Sequence, residues 1–251
     1  MKSLLRNILC SRAMGKLICF IFSDNIPCVR YRGYRFVLRH HPDKAQISAW
    51  IFWGFYESAE IRLTETYFKG DYDVIELGTS SGILASHVLT KLKNKRYYGI
   101  EANATLKETW NANVSKFNRN GNAVGLMNIV VGKEDAMIDF AMETNSTESN
   151  IFTHGARAKS IQIKSARLST IIHDLGIGEY TLFSDIEGAE IFFIFHDEPA
   201  LARCKEMIIE LHDVAIEENM ITAQALSQKL LEKGFRLVAQ DGQVGYFKRQ
   251  E

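Results

Sequence analysis

Four groups of residues in this chain have types and spacings suited to chemistry. The first is Glu76-Leu-Gly78-Thr79-Ser80-Ser81-Gly82. Two glycines bracketing three small residues make a tight turn whose free backbone N–H groups can meet a ligand. The spacing is not GxGxxG, so a pyrophosphate cradle is not the expected use. The second is Glu101, placed about twenty residues beyond the turn, where a carboxylate suits the two hydroxyls of a ribose. The third is Asp185-Ile-Glu187-Gly188-Ala-Glu190, and the fourth is Glu210-Leu-His212-Asp213. Either Asp185 or His212 could act as a general base. Alternatively, the carboxylates of Asp185 and Glu210 could hold Mg²⁺, which orients a hydroxyl and lowers its pKa.

Each group also has a plainer reading. Glu101 could be a solvated acid at a strand end, and Glu190 an acid in the first turn of a helix. The other six histidines carry no motif and read as surface or packing residues. Gly78-Thr-Ser80-Ser-Gly82 also fits the G-x-S-x-G nucleophile elbow of α/β-hydrolases, with Asp185 and His212 following in the Ser…Asp…His order. Against that reading, the elbow would follow the first strand of the sheet. No HGGG-type segment precedes it, and Glu76 and Glu101 would have no role.

The elements that must position these residues follow from periodicity. Val74–Leu77 is a short apolar strand. Leu84, Val88 and Leu92 fall on one face of the helix after the turn. Tyr97–Glu101 reads as strand two, Leu106–Phe117 as a helix, and Gly125–Val131 as strand three. Ala136–Met142 and Ile161–Lys164 read as extra strands flanking a polar loop, Glu143–Lys159, of a length that usually has a function. Leu168–Leu175 is a helix, Tyr180–Ser184 strand four, and Met207–Leu211 strand five. In a doubly wound sheet the carboxyl ends of adjacent strands face one crevice, which would gather Asp185, Glu187, Glu210 and His212 beside the glycine turn. Thr222–Lys233 reads as a helix closed by Gly234. Phe235–Gln240 and Val244–Lys248 read as a hairpin joined by Asp241-Gly242. A parallel sheet that finishes on an antiparallel hairpin is not the ordinary dinucleotide-binding fold. It predicts an α/β, Rossmann-like sheet of the class I S-adenosylmethionine (SAM) methyltransferase type over residues 71–251, with an N-terminal cap over 1–70.

In the cap, Tyr31–Leu38 around Gly33 reads as a hairpin or a pair of short strands. Ile47–Phe68 reads as one aromatic-rich helix, with Glu57 and Glu60 each able to face a site. Near the start, Leu4, Leu5, Ile8 and Leu9 alternate with Lys2, Arg6, Arg12 and Lys16. This is read first as a packing helix and second as a basic amphipathic helix resting on a membrane. Arg6 interrupts any signal-peptide core, and Leu17–Phe22 is too short to span a bilayer.

The 251 residues are 46% hydrophobic and 24% charged with zero net charge, the composition of a soluble globular chain with no bias toward nucleic acid. Four cysteines without a CxxC argue against a zinc site or a disulfide framework and fit a reducing cytoplasm.

Gly54-Phe-Tyr-Glu57, the Glu76–Gly82 turn, Glu101-Ala102-Asn103, Asp185-Ile-Glu-Gly-Ala-Glu190 and Ile208-Ile-Glu210-Leu-His212 together resemble the FkbM family of SAM-dependent methyltransferases over about residues 31–213. The D-x-E-G-x-E element is the most specific part. The resemblance implies O-methylation, often of a sugar hydroxyl in a glycan or glycosylated metabolite, in settings such as polysaccharide biosynthesis. Some related sugar methyltransferases use Mg²⁺. The chain departs from the family in three places: Glu76 replaces Asp, Thr79-Ser80 replaces a small residue followed by Asn, and Phe183 stands where Lys is common.

The expected roles follow. Gly78, Thr79, Ser80 and Gly82 line the methionine end of SAM, with Glu76 beneath them. Glu101, with Ala102 beside it, takes the ribose, and Val131 and Gly132 lie near adenine. Asp185, Glu210 and His212 carry base or metal roles, and the polar loop and the cap close over the acceptor. The alternative is a non-catalytic SAM-binding module in glycan assembly, for which Phe183 is the sequence support.

Overall fold

The computed structural model describes residues 2–39, 41–142, 159–216 and 219–250. The chain begins with helices α1 (Lys2–Leu9) and α2 (Arg12–Phe22), followed by a small hairpin of β1 (Asn25–Pro27) and β2 (Arg35–Val37). Helices α3 (Lys44–Trp53) and α4 (Ser58–Tyr67) complete the part before the main sheet. Then come β3 (Asp73–Leu77), α5 (Ile83–Lys91), β4 (Arg96–Ile100), α6 (Lys107–Phe117) and β5 (Ala123–Met127). A small three-stranded sheet follows, built from β6 (Val130–Val131), β7 (Ala136–Met142) and β8 (Lys159–Ala166) in the order β6-β8-β7. The chain continues with α7 (Leu168–Asp174), β9 (Tyr180–Ser184), α8 (Glu190–His196), α9 (Glu198–Arg203) and β10 (Cys204–Glu210). It ends with a second hairpin, β11 (Val214–Ile216) and β12 (Asn219–Ile221), then α10 (Ala223–Glu232), β13 (Phe235–Asp241) and β14 (Val244–Arg249).

The main sheet runs β13-β14-β10-β9-β3-β4-β5. Its first five strands in chain order are parallel, while β14 is antiparallel to both β10 and β13. This is the class I SAM-methyltransferase arrangement expected from the closing hairpin. The strand order reverses at β3, which has β4 on one side and β9 on the other. In open α/β sheets ligands bind at such a reversal, outside the carboxyl ends of the strands. The glycine turn, Glu101, Asp185 and Glu210 all stand at those ends.

Both faces of the sheet are covered. Tyr180, Leu182, Met207 and Ile209 join a core with α7–α10 on one face. On the other face Val74, Tyr97, Phe183 and Ile208 share a core with Ile18, Phe36, Ile47 and Ile61 from the elements before β3. Strand alternation accounts for this division, since successive residues of β9 and β10 face opposite sides.

Four boundaries differ from those read in the sequence. Strand three divides into β5 and β6, because the chain leaves the main sheet after Met127 to start the small one. The closing hairpin turns on Gly242-Gln243, one residue later than expected, since Asp241 still pairs with Val244. Gly242 has φ 66°, and glycine at the first central position is what one common two-residue hairpin turn requires. The cap hairpin spans 25–37, so its first strand precedes Tyr31.

The last difference matters most for function. The helix read as continuous over 47–68 is broken at Gly54-Phe-Tyr-Glu57. Gly54 caps α3 with φ 71°, and its N–H donates to the Ile51 carbonyl at 3.0 Å. Glycine is favoured in this left-handed position at a helix end. A Cβ on Gly54 would also lie 2.4 Å from Arg30 Cβ. The polar stretch 143–158 expected as a loop lies outside the described residues.

Candidate active site

A cleft of about 720 Å³ opens over the carboxyl ends of β3, β4, β9 and β10. Its floor is the glycine turn. Gly78, Ser80 and Gly82 have φ of 77°, 47° and 76°, so every second residue of the turn is left-handed. Gly78 is needed for a second reason: a Cβ there would fall 1.9 Å from the Asp185 carbonyl oxygen. That close approach joins the ends of β3 and β9. Gly82 begins α5 and packs on Trp110, with a Cβ reaching 3.0 Å from the indole.

The alternation decides which side chains of the turn face the cleft. Ser80 does, and its Oγ lies 3.2 Å from the Tyr56 hydroxyl. Thr79 points the other way and is fully buried. Its Oγ1 accepts from Trp110 Nε1 at 2.9 Å and stands 3.4 Å from the Tyr97 hydroxyl. Of the turn residues expected to line the methionine end of SAM, Thr79 thus turns its side chain away from the cleft. Beneath the turn, Glu76 is buried and accepts a hydrogen bond from the Tyr97 hydroxyl. Burial raises its carboxyl to about 7, against the lowering effect of the Tyr97 and Thr79 hydrogen bonds.

Glu101 closes one side of the turn. Its Oε2 accepts the Ser80 N–H at 2.8 Å and its Oε1 the Asn103 N–H at 2.7 Å. An ionised carboxylate offers about four acceptor sites, so each oxygen keeps one lone pair for a ligand hydroxyl. Beyond Glu101, Ala102, Leu106, Val130, Val131 and Phe140 form an apolar wall of the cleft. Gly132 is not part of that wall. Its N–H donates to the Ala166 carbonyl, and a Cβ would lie 2.1 Å from Ser165 Oγ.

The opposite side is acidic. Glu57, Glu60, Asp185, Glu187 and Glu210 all line it. Glu60, Asp185 and Glu210 can each offer one oxygen within 4.8 Å of the others. Crowding of this kind raises carboxyl pKa values. Glu60 rises to about 7 through burial and then repulsion by Glu210. Asp185 is raised well above its usual range by desolvation and then by Glu210 and Glu187. Its Oδ1 is buried and accepts no hydrogen bond.

Sequence reading did not assign Tyr56 or settle the direction of Glu57. Glu57 sits at φ 47° in the break between α3 and α4, and its Oε2 accepts the Leu84 N–H at 2.8 Å, at the start of α5. Gly54 was the available signal, because a glycine inside an aromatic helical pattern marks a possible helix end.

His212 is placed among acids. Its Nε2 lies 3.7 Å from Asp185 Oδ1 and 3.5 Å from Glu187 Oε2, and its Nδ1 lies 3.4 Å from Glu190 Oε1. Burial alone would lower its pKa, but Glu190, Asp185 and Glu187 raise it to about 9. These contacts favour a protonated His212, so we assign it to charge pairing with Asp185, Glu187 and Glu190. Glu190 is fully buried and accepts the N–H groups of Ile186 and Gly188, at 3.0 and 2.8 Å. It shapes the Asp185–Gly188 loop and holds His212. With Ser80 Oγ beside Tyr56 and both imidazole nitrogens facing carboxylates, no Ser–His pair forms, and the nucleophile-elbow reading has no support. Phe183 is fully buried against Phe68, with ring centroids 5.3 Å apart, so this position sends nothing into the cleft.

The strand order, the glycine turn and the acid after β4 define a SAM-dependent methyltransferase. More particularly, the chain belongs to the methyltransferase FkbM domain family, whose family model matches residues 76–237. A search of curated proteins gives no match. Among solved structures, magnesium protoporphyrin IX methyltransferase from Synechocystis PCC 6803 with bound SAM is 9% identical, covers 76% of both chains and has a TM-score of 0.43. Precorrin-6y C5,15-methyltransferase from Geobacter metallireducens GS-15 is 13% identical, covering 76% of this chain and 85% of its own, with a TM-score of 0.40. No helix among the described residues is long and apolar enough to cross a membrane.

Proposed function

We propose that the enzyme methylates a hydroxyl of a sugar, in a glycan or a glycosylated metabolite, and that Asp185 takes the hydroxyl proton. One observation carries this reading: the buried Asp185 Oδ1 has no hydrogen-bond donor and stands beside the glycine turn at the end of β9. The rest of the Asp185 carboxylate is open to the cleft, where an acceptor hydroxyl would donate to it. The nearby His212 cation lowers the Asp185 pKa and so favours the ionised form that must accept the proton.

SAM, when bound, supplies an electrophilic methyl group on a positively charged sulfur. Gly78 and Ser80 would border its amino-acid end, Glu101 would accept from the ribose hydroxyls, and the apolar wall with Val131 would cover adenine. Glu57, Asp185 and Glu210 line the acceptor side with oxygen acceptors, a polar lining that suits a cationic sulfonium. Asp185 would take the proton of the acceptor hydroxyl as that oxygen gains the methyl group and the sulfonium becomes a neutral thioether, and the protonated Asp185 would then release its proton to solvent.

The three-carboxylate set of Glu60, Asp185 and Glu210 also suits a hard cation such as Mg²⁺ in donor type. These residues would hold it, and it would lower the pKa of the acceptor hydroxyl. The family resemblance supports a sugar acceptor, as does the carboxylate lining, which offers acceptors for several hydroxyls. The test is incubation with methyl-labelled SAM and a panel of sugar acceptors. Label in a methyl ether that is lost with Asp185→Asn supports the reading. Transfer to amines or carboxylates alone would overturn it.

A further inference from the structure

We propose that α1 and α2 form a docking surface for an anionic lipid bilayer. The first observation is charge. Residues 2–22 contain Lys2, Arg6, Arg12 and Lys16 and no acid, in a chain whose 30 basic and 30 acidic residues balance. The second is how α2 is packed. Gly15 meets the backbone of α3 so closely that a Cβ would lie 1.5 Å from the Ala45 carbonyl oxygen, and Ile18 is buried beside it. That contact fixes which face of α2 looks outward.

The outward face carries two rows at i, i+4 spacing, Arg12–Lys16–Phe20 and Ala13–Leu17–Ile21, all exposed. Phe20 is 86% exposed, Ile21 59% and Leu17 51%. On α1, Leu5 and Ile8 are exposed at i, i+3. Among the described residues, five of the ten exposed large apolar side chains lie on these two short helices. Clustering of this degree marks an interaction surface, whereas scattered single residues would not.

An apolar stripe flanked by basic residues with no acid matches the boundary between lipid headgroups and acyl chains. Helices of 8 and 11 residues are too short to span a bilayer and can only lie in its surface. The corner between them is fixed to α3, since the Cys10 carbonyl accepts from Trp50 Nε1 at 3.2 Å and from Gln46 Nε2 at 2.5 Å. Arg6 is exposed and also borders the cleft, with its guanidinium 5.3 Å from the Phe55 ring centre. A docked α1 therefore holds one wall of the cleft at the bilayer surface.

The experiment is co-sedimentation of the full chain with vesicles of phosphatidylcholine alone and of phosphatidylcholine mixed with phosphatidylglycerol, at low and high salt. Binding is expected on the anionic vesicles and is expected to weaken with salt. Arg12→Gln with Lys16→Gln should weaken it about thirtyfold, from the attraction of two basic side chains to an anionic surface. Phe20→Ser with Leu17→Ser should abolish binding to the anionic vesicles. Circular dichroism and thermal melting of both variants should match the parent, because the changed side chains are exposed. Absence of sedimentation with anionic vesicles, or equal sedimentation with both vesicle types, would overturn the proposal. So would a concentration-dependent dimer lost in Phe20→Ser when no vesicle binding is seen, which would assign the face to a second copy of the chain.

Discussion

The backbone N–H of Ser80 donates to Glu101 Oε2 at 2.8 Å, so the acid after β4 is tied to the turn after β3. One carboxylate thus both holds the left-handed Ser80 in place and presents lone pairs to the cleft. We expect Glu101→Ala to lose both functions. A hydrogen bond to a charged group contributes roughly 1.5–3 kcal/mol. Loss of one such bond to a ribose hydroxyl should weaken SAM binding by at least about tenfold in calorimetric titration. The ligand-free variant should also melt lower than the parent, because the Ser80 and Asn103 N–H groups lose their acceptor. Unchanged SAM affinity would remove Glu101 from the site.

Asp185→Asn should separate binding from turnover. The amide preserves size and leaves the glycine turn intact, but it cannot accept the acceptor's proton. SAM affinity should stay within a few fold, while kcat falls by roughly 10²–10⁴, the range for loss of a general base. Equal losses in SAM binding and kcat would mean that Asp185 holds the turn and does not act on the acceptor.

His212→Gln removes the cation 3.7 Å from Asp185 Oδ1. The His212 cation lowers the Asp185 pKa. Removing it raises that pKa further, so Asp185 gains its negative charge only at higher pH. Assayed with a chelator present, the acidic limb of kcat/KM against pH should move to higher pH. A limb that stays in place would show that another group is the base.

Metal removal tests the set formed by Glu60, Asp185 and Glu210. If these carboxylates hold Mg²⁺ during turnover, chelation should lower kcat and added Mg²⁺ should restore it. Glu210→Gln should then need more Mg²⁺ for half-maximal rate. Turnover indifferent to both chelator and Mg²⁺ would leave the acids to bind the acceptor and SAM alone.

The parts of the site that were legible in the sequence rest on local spacing. Gly78, Gly82 and Glu101 could be placed because a turn after a strand and an acid after the next strand are set by a few residues each. Asp185 and Glu210 followed once both strands were assigned to one parallel sheet. The direction of Thr79 was not legible, because it depends on the left-handed φ values of Gly78, Ser80 and Gly82 on either side of it. The break before Glu57 was hidden by aromatic residues that continue at helical spacing through Gly54. The charge of His212 was hidden for a different reason. Glu190 lies far from it in sequence, and only the folded Asp185–Gly188 loop brings that carboxylate within 3.4 Å of the ring.

Glu76 should make the stability of the protein depend on pH. Its carboxyl rises from 4.5 to about 7 on folding because it is buried. Between these values the folded state keeps a proton that the unfolded state has released. Stability should therefore fall as pH rises from about 4.5 to 7 and level off above that. Each pKa unit corresponds to about 1.4 kcal/mol, so the contribution of this single group is on the order of 3 kcal/mol as an upper bound. Glu76→Gln keeps an acceptor for the Tyr97 hydroxyl and cannot ionise. Urea unfolding across this pH range should show a smaller loss of stability for the variant than for the parent, and above pH 7 the variant should be the more stable of the two. Parallel pH profiles for the two proteins would mean that Glu76 is ionised in the folded state, stabilised by Tyr97 and Thr79 against the cost of burial.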